Sequence, residues 1–326
     1  MVEKKERLDY FDIFKFILIV SVVAGHSEIP YWLKTLIFSI HMPAFIIVNG
    51  YFMKPSGICE HMAKTGRSLI PVYFITVAAL NLSQFIRHML FDEPLIINTS
   101  LWGIVRLTAG SPLLYPMGAI WFVNALFWSR TVLNIFLKFK YPLPLVIAAS
   151  FIANFSYRYI ILPFSIQAGI GSVIFLYIGY IMKKYDVLNR VRKPAFAAAV
   201  SVLVWLAGGL GLPFVSVLDC QYTIPNILAA ASGTFGILII LRISAPKNHM
   251  KLYSVLLFIG RNTLAVLCWH TIDDYIINVF YHKEIMAYLP VTEPVFIVLR
   301  IIFNMIPIII IYIMEHCKII ARKGYG

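Results

Sequence analysis

The sequence predicts an all-α membrane protein, a polytopic bundle of about ten transmembrane helices with both termini in the cytoplasm. The first observation is composition: of 326 residues, 60% are hydrophobic and only 13% are charged, with a mean hydropathy of +0.82. A soluble protein of this length carries about 25% charged residues. The second observation is that apolar runs of about 20 residues recur from end to end. We therefore expect a single membrane-embedded domain over residues 1–326.

The third observation is the distribution of basic residues, which sets the topology. Most of the 28 Lys and Arg residues fall between alternate spans if the N-terminus is cytoplasmic, as the positive-inside rule requires. The net charge of +13 therefore reflects topology, and we expect no nucleic-acid partner. The predicted spans cover roughly residues 8–28, 33–53, 68–90, 117–137, 142–161, 163–182, 195–215, 222–241, 252–272 and 294–315.

The first predicted helix, 7-RLDYFDIFKFILIVSVVAGHSEIP-30, carries ionisable residues along one side. Lys15 and His26 are 11 positions apart, which places them within about 20° of one face and roughly 16 Å apart along the axis. Asp12 lies one turn from Lys15. Ionisable groups within a span usually face the protein interior. An alternative stays open here: an Asp12–Lys15 ion pair at one interface, with His26 among the headgroups at the other.

Two segments add polar residues nearer the cytoplasm. The segment 64-KTGRSLIPVY-73 contains Lys64 and Arg67, which share one helical face if the helix begins early. Asn49 lies towards the inner end of the second predicted span. Ordinary positive-inside charge explains any single lysine in such a loop equally well.

Further polar side chains are predicted at the outer ends of other helices. Trp121 has the aromatic-belt role as its default interpretation. Histidines from three helices can converge there and bind zinc, but neither HxxxH nor CxxC spacing supports a metal site, and none is expected. These residues are His26, His41 in 40-IHMPAFIIVNGYFM-53, Trp121 in 118-GAIWFVNALF-127, and His270 in 259-IGRNTLAVLCWHTIDD-274.

Taken together, these segments resemble the integral-membrane acyltransferase family 3, which includes O-antigen and fucose O-acetylases. The resemblance covers nearly the whole chain in order. Asn49 stands where the family usually has Ser, and Leu267 where it usually has Tyr. These two departures concern the contacts with the acceptor more than the chemistry of transfer. The matching segments are YFDIFKFILIVSVVAGHS, IHMPAFIIVNGYF, KTGRSLIPVY, AIWFVNALF and IGRNTLAVLCWH.

The resemblance implies transfer of an acyl group, commonly acetyl, from cytoplasmic acetyl-CoA to a hydroxyl of an extracytoplasmic acceptor, commonly a saccharide. It implies a bacterial plasma membrane, acetyl-CoA as co-substrate and no permanently bound cofactor. His26 would act as general base or carry the acyl group itself. The donor site would be formed by Asp12, Lys15, Lys64 and Arg67, and the acceptor or oxyanion contacts by His41, Asn49, Trp121 and His270.

A second interpretation is a transport or ligand-binding domain. A similar membrane domain occurs in the membrane-bound serine racemases of vancomycin resistance, where it is thought to handle serine. This interpretation predicts a fused or associated soluble domain. A purely structural or sensory membrane protein would explain neither the polar face of the first helix nor the outer histidines.

Overall fold

The computed structural model describes residues 8–91, 118–160, 162–213, 215–245, 251–274 and 292–323, which are helical almost throughout. In these ranges the predicted all-α class is confirmed. A short 3-10 turn, Gly118–Ile120, leads directly into α5. The helices are α1 Asp9–Gly25, α2 Tyr31–Phe38, α3 His41–Tyr51, α4 Ile58–Phe91, α5 Trp121–Phe136, α6 Pro142–Ser156, α7 Ile166–Gly171, α8 Val173–Lys184, α9 Val187–Arg190, α10 Pro194–Gly211, α11 Ile224–Ile243, α12 Lys251–Arg261, α13 Thr263–Asp273, α14 Glu293–Phe303 and α15 Ile306–Lys323.

Seven helices or helix pairs in the described ranges are long and apolar enough to cross a membrane. The pair α12 and α13, bent by 71°, would be an eighth. Helices α1 and α6, with 17 and 15 residues, occupy two further predicted spans but are shorter. The membrane helices are thus confirmed, whereas the count of about ten and the cytoplasmic position of both termini stay predictions. The seven are Tyr31–Tyr51, Ile58–Ser83, Gly118–Phe136, Ile166–Lys184, Pro194–Gly211, Ile224–Ile243 and Glu293–Cys317.

Several predicted spans are interrupted, and proline explains two of the interruptions. Pro43 and Pro307 lie in the first turns of α3 and α15, where the missing N–H is not needed. Their rings would clash with the carbonyl four residues earlier in a continuous helix, so α2 ends at Phe38 and α14 ends at Phe303. The first part of the second predicted span is therefore a separate short helix.

Helix α1 lies in the interior of the bundle, where it packs against α2, α3, α11, α12, α13 and α14. Its side chains Phe11, Phe14 and Leu18 are buried. Glycine at position 260 allows α12 to approach closely, because a Cβ there would lie 1.8 Å from the backbone oxygen of Asp12. This close contact brings the end of α12 to the charged first turns of α1.

Candidate functional site

A cavity of about 340 Å³ lies between α1, α3, α4, α5 and α13. This volume falls within the size range of small-molecule sites. Three basic residues line it, Lys15, Lys64 and Arg130, and none of its lining residues in the described part of the chain is acidic. The remaining wall is mainly apolar and includes Ile19 and Leu267. The cavity therefore combines a cationic region with an apolar one.

The charges around Lys15 are largely compensated. The Nζ of Lys15 lies 2.7 Å from Oδ1 of Asp12, and the Nε of Arg261 lies 3.0 Å from Oδ2 of the same carboxylate. Arg261 also contacts Asp9 at 3.3 Å. Asp12 is buried at 6% exposure and does not line the cavity, so its part is to hold Lys15 in place. This geometry places the Asp12 carboxylate inside the helix bundle, in an ion pair with Lys15.

The two basic residues predicted at the start of α4 are placed differently. Lys64 lines the cavity, together with the hydroxyl-bearing Thr65 and Ser68. Arg67 is exposed and does not line it. Of the predicted donor-site residues, the structure therefore brings Lys15 and Lys64 together at the cavity and leaves Arg67 outside its wall.

Arg130 was not among the residues singled out from the sequence. It lies in α5, half-buried, and its Nε is buried without a hydrogen-bond partner. It forms no ion pair with the residues that the structure describes. A cation inside an apolar span is itself a signal of function, and that signal was present in the sequence.

A pair of histidines lies at the other end of α1. His26 follows the last residue of α1, and its ring centroid is 5.3 Å from that of His270. Nδ1 of His26 lies 3.6 Å from a carboxylate oxygen of Asp274, and Nδ1 of His270 lies 3.5 Å from one of Asp273. His270 is fully buried, and both ring nitrogens lack a hydrogen-bond partner within the described ranges. Each imidazole therefore has one carboxylate beside it.

Arg300 organises this cluster from α14. Its Nε and Nη2 donate hydrogen bonds to Oδ2 of Asp273 at 3.2 and 2.7 Å, and Nη2 donates to Asp274 at 3.4 Å. Its Nη1 donates to the carbonyl of His26 and to the hydroxyl of Ser27. The guanidinium is 2% exposed. One buried cation thus joins the end of α1 to the two carboxylates at the end of α13.

The other predicted acceptor residues surround the cluster or line the cavity. His41 is buried, donates from Nδ1 to the carbonyl of Ile37 at 2.8 Å, and its ring packs 4.7 Å from that of Phe38, which lies 5.6 Å from His26. Asn49 lines the cavity instead. The predicted convergence of three histidines is therefore a direct contact for two of them, with Phe38 between His26 and His41.

Trp121 is the first residue of α5 and is half-buried. It follows Gly118, whose backbone packs against Thr271, the residue after His270. Trp121 thus begins its helix at the level of the histidine pair and does not line the cavity.

The cavity and the histidine pair are connected by α1 but do not share a wall. The lining of the cavity on α1 ends at Ile19, seven residues and about 10 Å before His26. At this end the wall also contains Met42, next to His41, and Leu267, one turn before His270. The apolar end of the cavity therefore points towards the histidines.

The ligand atoms of His26, His270 and Asp274 lie within 4.8 Å of one another. Nitrogen and carboxylate ligands of this kind suit Zn²⁺. The guanidinium of Arg300, 3.4 Å from Asp274, already neutralises that carboxylate and would oppose a second cation. The expectation of no metal stays a prediction.

Comparison with known proteins identifies the family. The family model of acyltransferase family 3, described as an acyltransferase domain, matches residues 8–313. No curated protein gives a significant match. The matched range includes every residue of the cavity and of the histidine cluster described above. The chain therefore belongs to acyltransferase family 3.

Proposed function

We propose that this membrane acyltransferase moves an acyl group, with acetyl as the expected one, from cytoplasmic acyl-CoA to a hydroxyl of an extracytoplasmic acceptor, with a saccharide as the expected class. One observation carries the proposal: Lys15 of α1 lies at a cation-lined cavity, and His26, just after α1, lies beside the buried His270, roughly 16 Å from Lys15 along the helix axis. The membrane would then be the bacterial plasma membrane, with the lipid bilayer around the bundle.

The cationic region of the cavity suits the phosphate groups of CoA. Lys15 and Lys64 would donate charge-assisted hydrogen bonds to phosphate oxygens, and Asp12 would keep Lys15 oriented. The apolar wall would accommodate the pantetheine arm, which in extended form spans a distance comparable to that between Lys15 and His26. The arm would pass between Met42 and Leu267 to reach the histidines.

At the histidine pair, His26 would act as general base. Its imidazole would take the proton of the acceptor hydroxyl as the hydroxyl oxygen attacks the thioester carbonyl carbon. The tetrahedral oxyanion would collapse with cleavage of the C–S bond, and the CoA thiolate would take the proton back from His26. Asp274, 3.6 Å from Nδ1, would orient the ring and stabilise the imidazolium. The products are an ester and CoA.

Three nearby groups would complete the site. A ring N–H of His270 and the indole N–H of Trp121 can stabilise the oxyanion. Nε2 of His41, whose Nδ1 donates to a backbone carbonyl, can accept a hydrogen bond from the acceptor hydroxyl. Asn49, on the cavity, would contact the donor arm. In a second route with the same residues, His26 would first take the acyl group and then pass it to the acceptor. Rapid quenching with labelled acetyl-CoA separates these routes, because only the second leaves label on the protein.

Ligand binding by the purified protein in detergent tests the function. We expect wild-type protein to bind acetyl-CoA and to release CoA slowly when water serves as acceptor. Serine would be titrated under identical conditions. Binding of serine without binding of acetyl-CoA, by protein that stays monodisperse, would contradict the proposal and favour a transport or ligand-binding domain with an associated soluble partner.

A further inference from the structure

We infer that Arg130 is a phosphate-binding residue of the donor site, where it acts with Lys15 and Lys64 on the nucleotide end of acyl-CoA. This inference rests on the proposed function for the identity of the donor, and it assigns a binding role to a residue that the sequence did not single out. The ligand chemistry is a phosphate monoester or diphosphate. Four observations support it.

The first observation is the unpaired state of Arg130. Lys15 has Asp12 as an ion-pair partner at 2.7 Å, whereas Arg130 has no acidic partner among the described residues. Its Nε is buried without a hydrogen-bond partner. Buried charged donors are strongly disfavoured unless a partner satisfies them. A bound anion in the cavity would supply that partner.

The second observation is the charge of the cavity wall. Asp9 and Asp12 balance Lys15 and Arg261, so Lys64 and Arg130 are left as the uncompensated charges facing the cavity. No carboxylate is among the described lining residues. Such a site attracts a multiply charged anion and disfavours a cation.

The third observation is depth. On α1, Lys15 lies 11 residues, or roughly 16 Å, from His26. On α5, Arg130 lies 12 residues, or about 18 Å, from Gly118, which packs against Thr271 beside His270. Two different helices thus place a cation at a similar distance from the histidine pair. A donor with its thioester at the histidines would place its phosphates at this level.

The fourth observation is a second buried polar group without a hydrogen-bond partner, one helical turn from the cavity wall. His61 is 4% exposed, and its Nε2 has no hydrogen-bond partner among the described residues. It lies one turn before Thr65 and two turns before Ser68 on the same face of α4, and both of these line the cavity. The hydroxyls of Thr65 and Ser68 therefore offer further donors to phosphate oxygens at the cationic region, with the His61 imidazole one turn away.

Arginine also has the geometry that this role needs. Its planar guanidinium forms two parallel hydrogen bonds to phosphate, whereas lysine acts as a point charge. We therefore expect Arg130→Lys to keep part of the affinity and Arg130→Ala to lose about tenfold to a hundredfold, the range for a hydrogen bond to a charged group. Lys138→Ala is the matched control, because Lys138 is an exposed cation just beyond α5.

The test is a set of titrations with three ligands. Acetyl-CoA, 3′-dephospho-acetyl-CoA and S-acetyl-pantetheine are titrated against wild type, Arg130→Ala, Arg130→Lys and Lys138→Ala in detergent. The second ligand lacks only the 3′-phosphate of acetyl-CoA. The third lacks the nucleotide and the diphosphate as well. We expect Arg130→Ala to lower the affinity for acetyl-CoA strongly and to leave the affinity for S-acetyl-pantetheine within twofold of wild type. Lys138→Ala should change neither affinity.

The intermediate ligand identifies which phosphate Arg130 contacts. If the affinities for acetyl-CoA and its dephospho form become equal in Arg130→Ala, the contact is with the 3′-phosphate. If both fall by the same factor, the contact is with the diphosphate. Either result supports the inference.

Two results would overturn it. One is unchanged acetyl-CoA affinity in Arg130→Ala, and the other is an equal loss for S-acetyl-pantetheine, which would indicate a general structural effect. Failure of the proposed function looks different, because wild-type protein would then not bind acetyl-CoA. In that case adenosine 3′,5′-bisphosphate is titrated as the probe, and Arg130-dependent binding of it would support the anion site by itself, whereas no binding would overturn it.

Discussion

Arg300 donates a hydrogen bond from Nη1 to the backbone carbonyl oxygen of His26 at 3.2 Å. The same guanidinium donates to the carboxylates of Asp273, the last residue of α13, and of Asp274, the residue after it. A residue of α14 thus fixes the end of α1 and, with it, the position of the His26 imidazole. The reactive end of the proposed site is held by a buried ion network and not by loops alone.

Removal of Arg300 should destabilise the protein strongly. In Arg300→Met, Asp273 is left buried without its cation, and breaking a buried pair in this way costs about 3–5 kcal/mol. Thermal unfolding in detergent measures the effect. Arg300→Met/Asp273→Asn should recover part of the loss, since it removes both charges. Equal stability of wild type and Arg300→Met would contradict the network's structural role.

Asp274→Asn should lower turnover and leave the affinity for acetyl-CoA unchanged. The side chain lies beside Nδ1 of His26 and far from the cationic region, so it affects the ring and not the donor phosphates. The loss in kcat should not exceed the rate enhancement that a general base supplies, which is about 10²- to 10⁴-fold. Separate measurements of kcat and of acetyl-CoA affinity check this. A change confined to affinity would remove Asp274 from the reaction.

Alanine substitution of Lys64 and of Arg67 in α4 should lower the affinity for acetyl-CoA to different extents. Lys64 lines the cavity and Arg67 does not, so Lys64→Ala should weaken acetyl-CoA binding by about tenfold and Arg67→Ala by less. Both variants should affect affinity more than turnover, since both positions are remote from the reacting bond. A larger effect of Arg67→Ala would mean that the phosphates bind outside the cavity wall.

Cysteine labelling can test the topology with a native residue. Cys59 is exposed near the start of α4, whereas burial raises the pKa of Cys220 to about 12 and keeps it protonated. The thiolate is the reactive form, so a membrane-impermeant maleimide at neutral pH should spare Cys220. In a variant that retains only Cys59, we expect labelling from the cytoplasmic side alone.

An introduced cysteine provides the opposite reference. Gln221 is exposed in the turn between α10 and α11, on the predicted outer side. In a cysteine-free background, Gln221→Cys should react from outside intact cells. Labelling of Cys59 and of Gln221→Cys from the same side would show that the assumed orientation of the helices is wrong.

Much of the site on α1 could be predicted because it depends only on helical periodicity. Lys15 and His26, 11 residues apart, lie on one face of a continuous helix. The cost of charge in lipid favours an interior location for both, although an interfacial one stays open from the sequence alone. Arg130 and Arg300 are different. Their presence in apolar spans was visible, but the cavity that one lines and the carboxylates that the other binds are created by long-range packing, which periodicity does not describe.

The interrupted helices show the same division. Proline at 43 and 307 gave a local signal for the breaks after α2 and α14. The 71° bend between α12 and α13 has no such marker, and it is this bend that positions Arg261 at Asp12 and His270 at His26. The placement of predicted residues therefore depended on a tertiary feature that the sequence pattern does not contain.

The most direct test of the central claim compares Lys15→Ala with His26→Ala. Acetyl-CoA affinity and CoA release are measured on both purified variants, with wild type as reference. The account predicts that Lys15→Ala loses affinity, whereas His26→Ala binds acetyl-CoA normally and releases no CoA above background. Normal CoA release by His26→Ala, or normal acetyl-CoA affinity in Lys15→Ala, would contradict the division of α1 into a donor end and a reactive end.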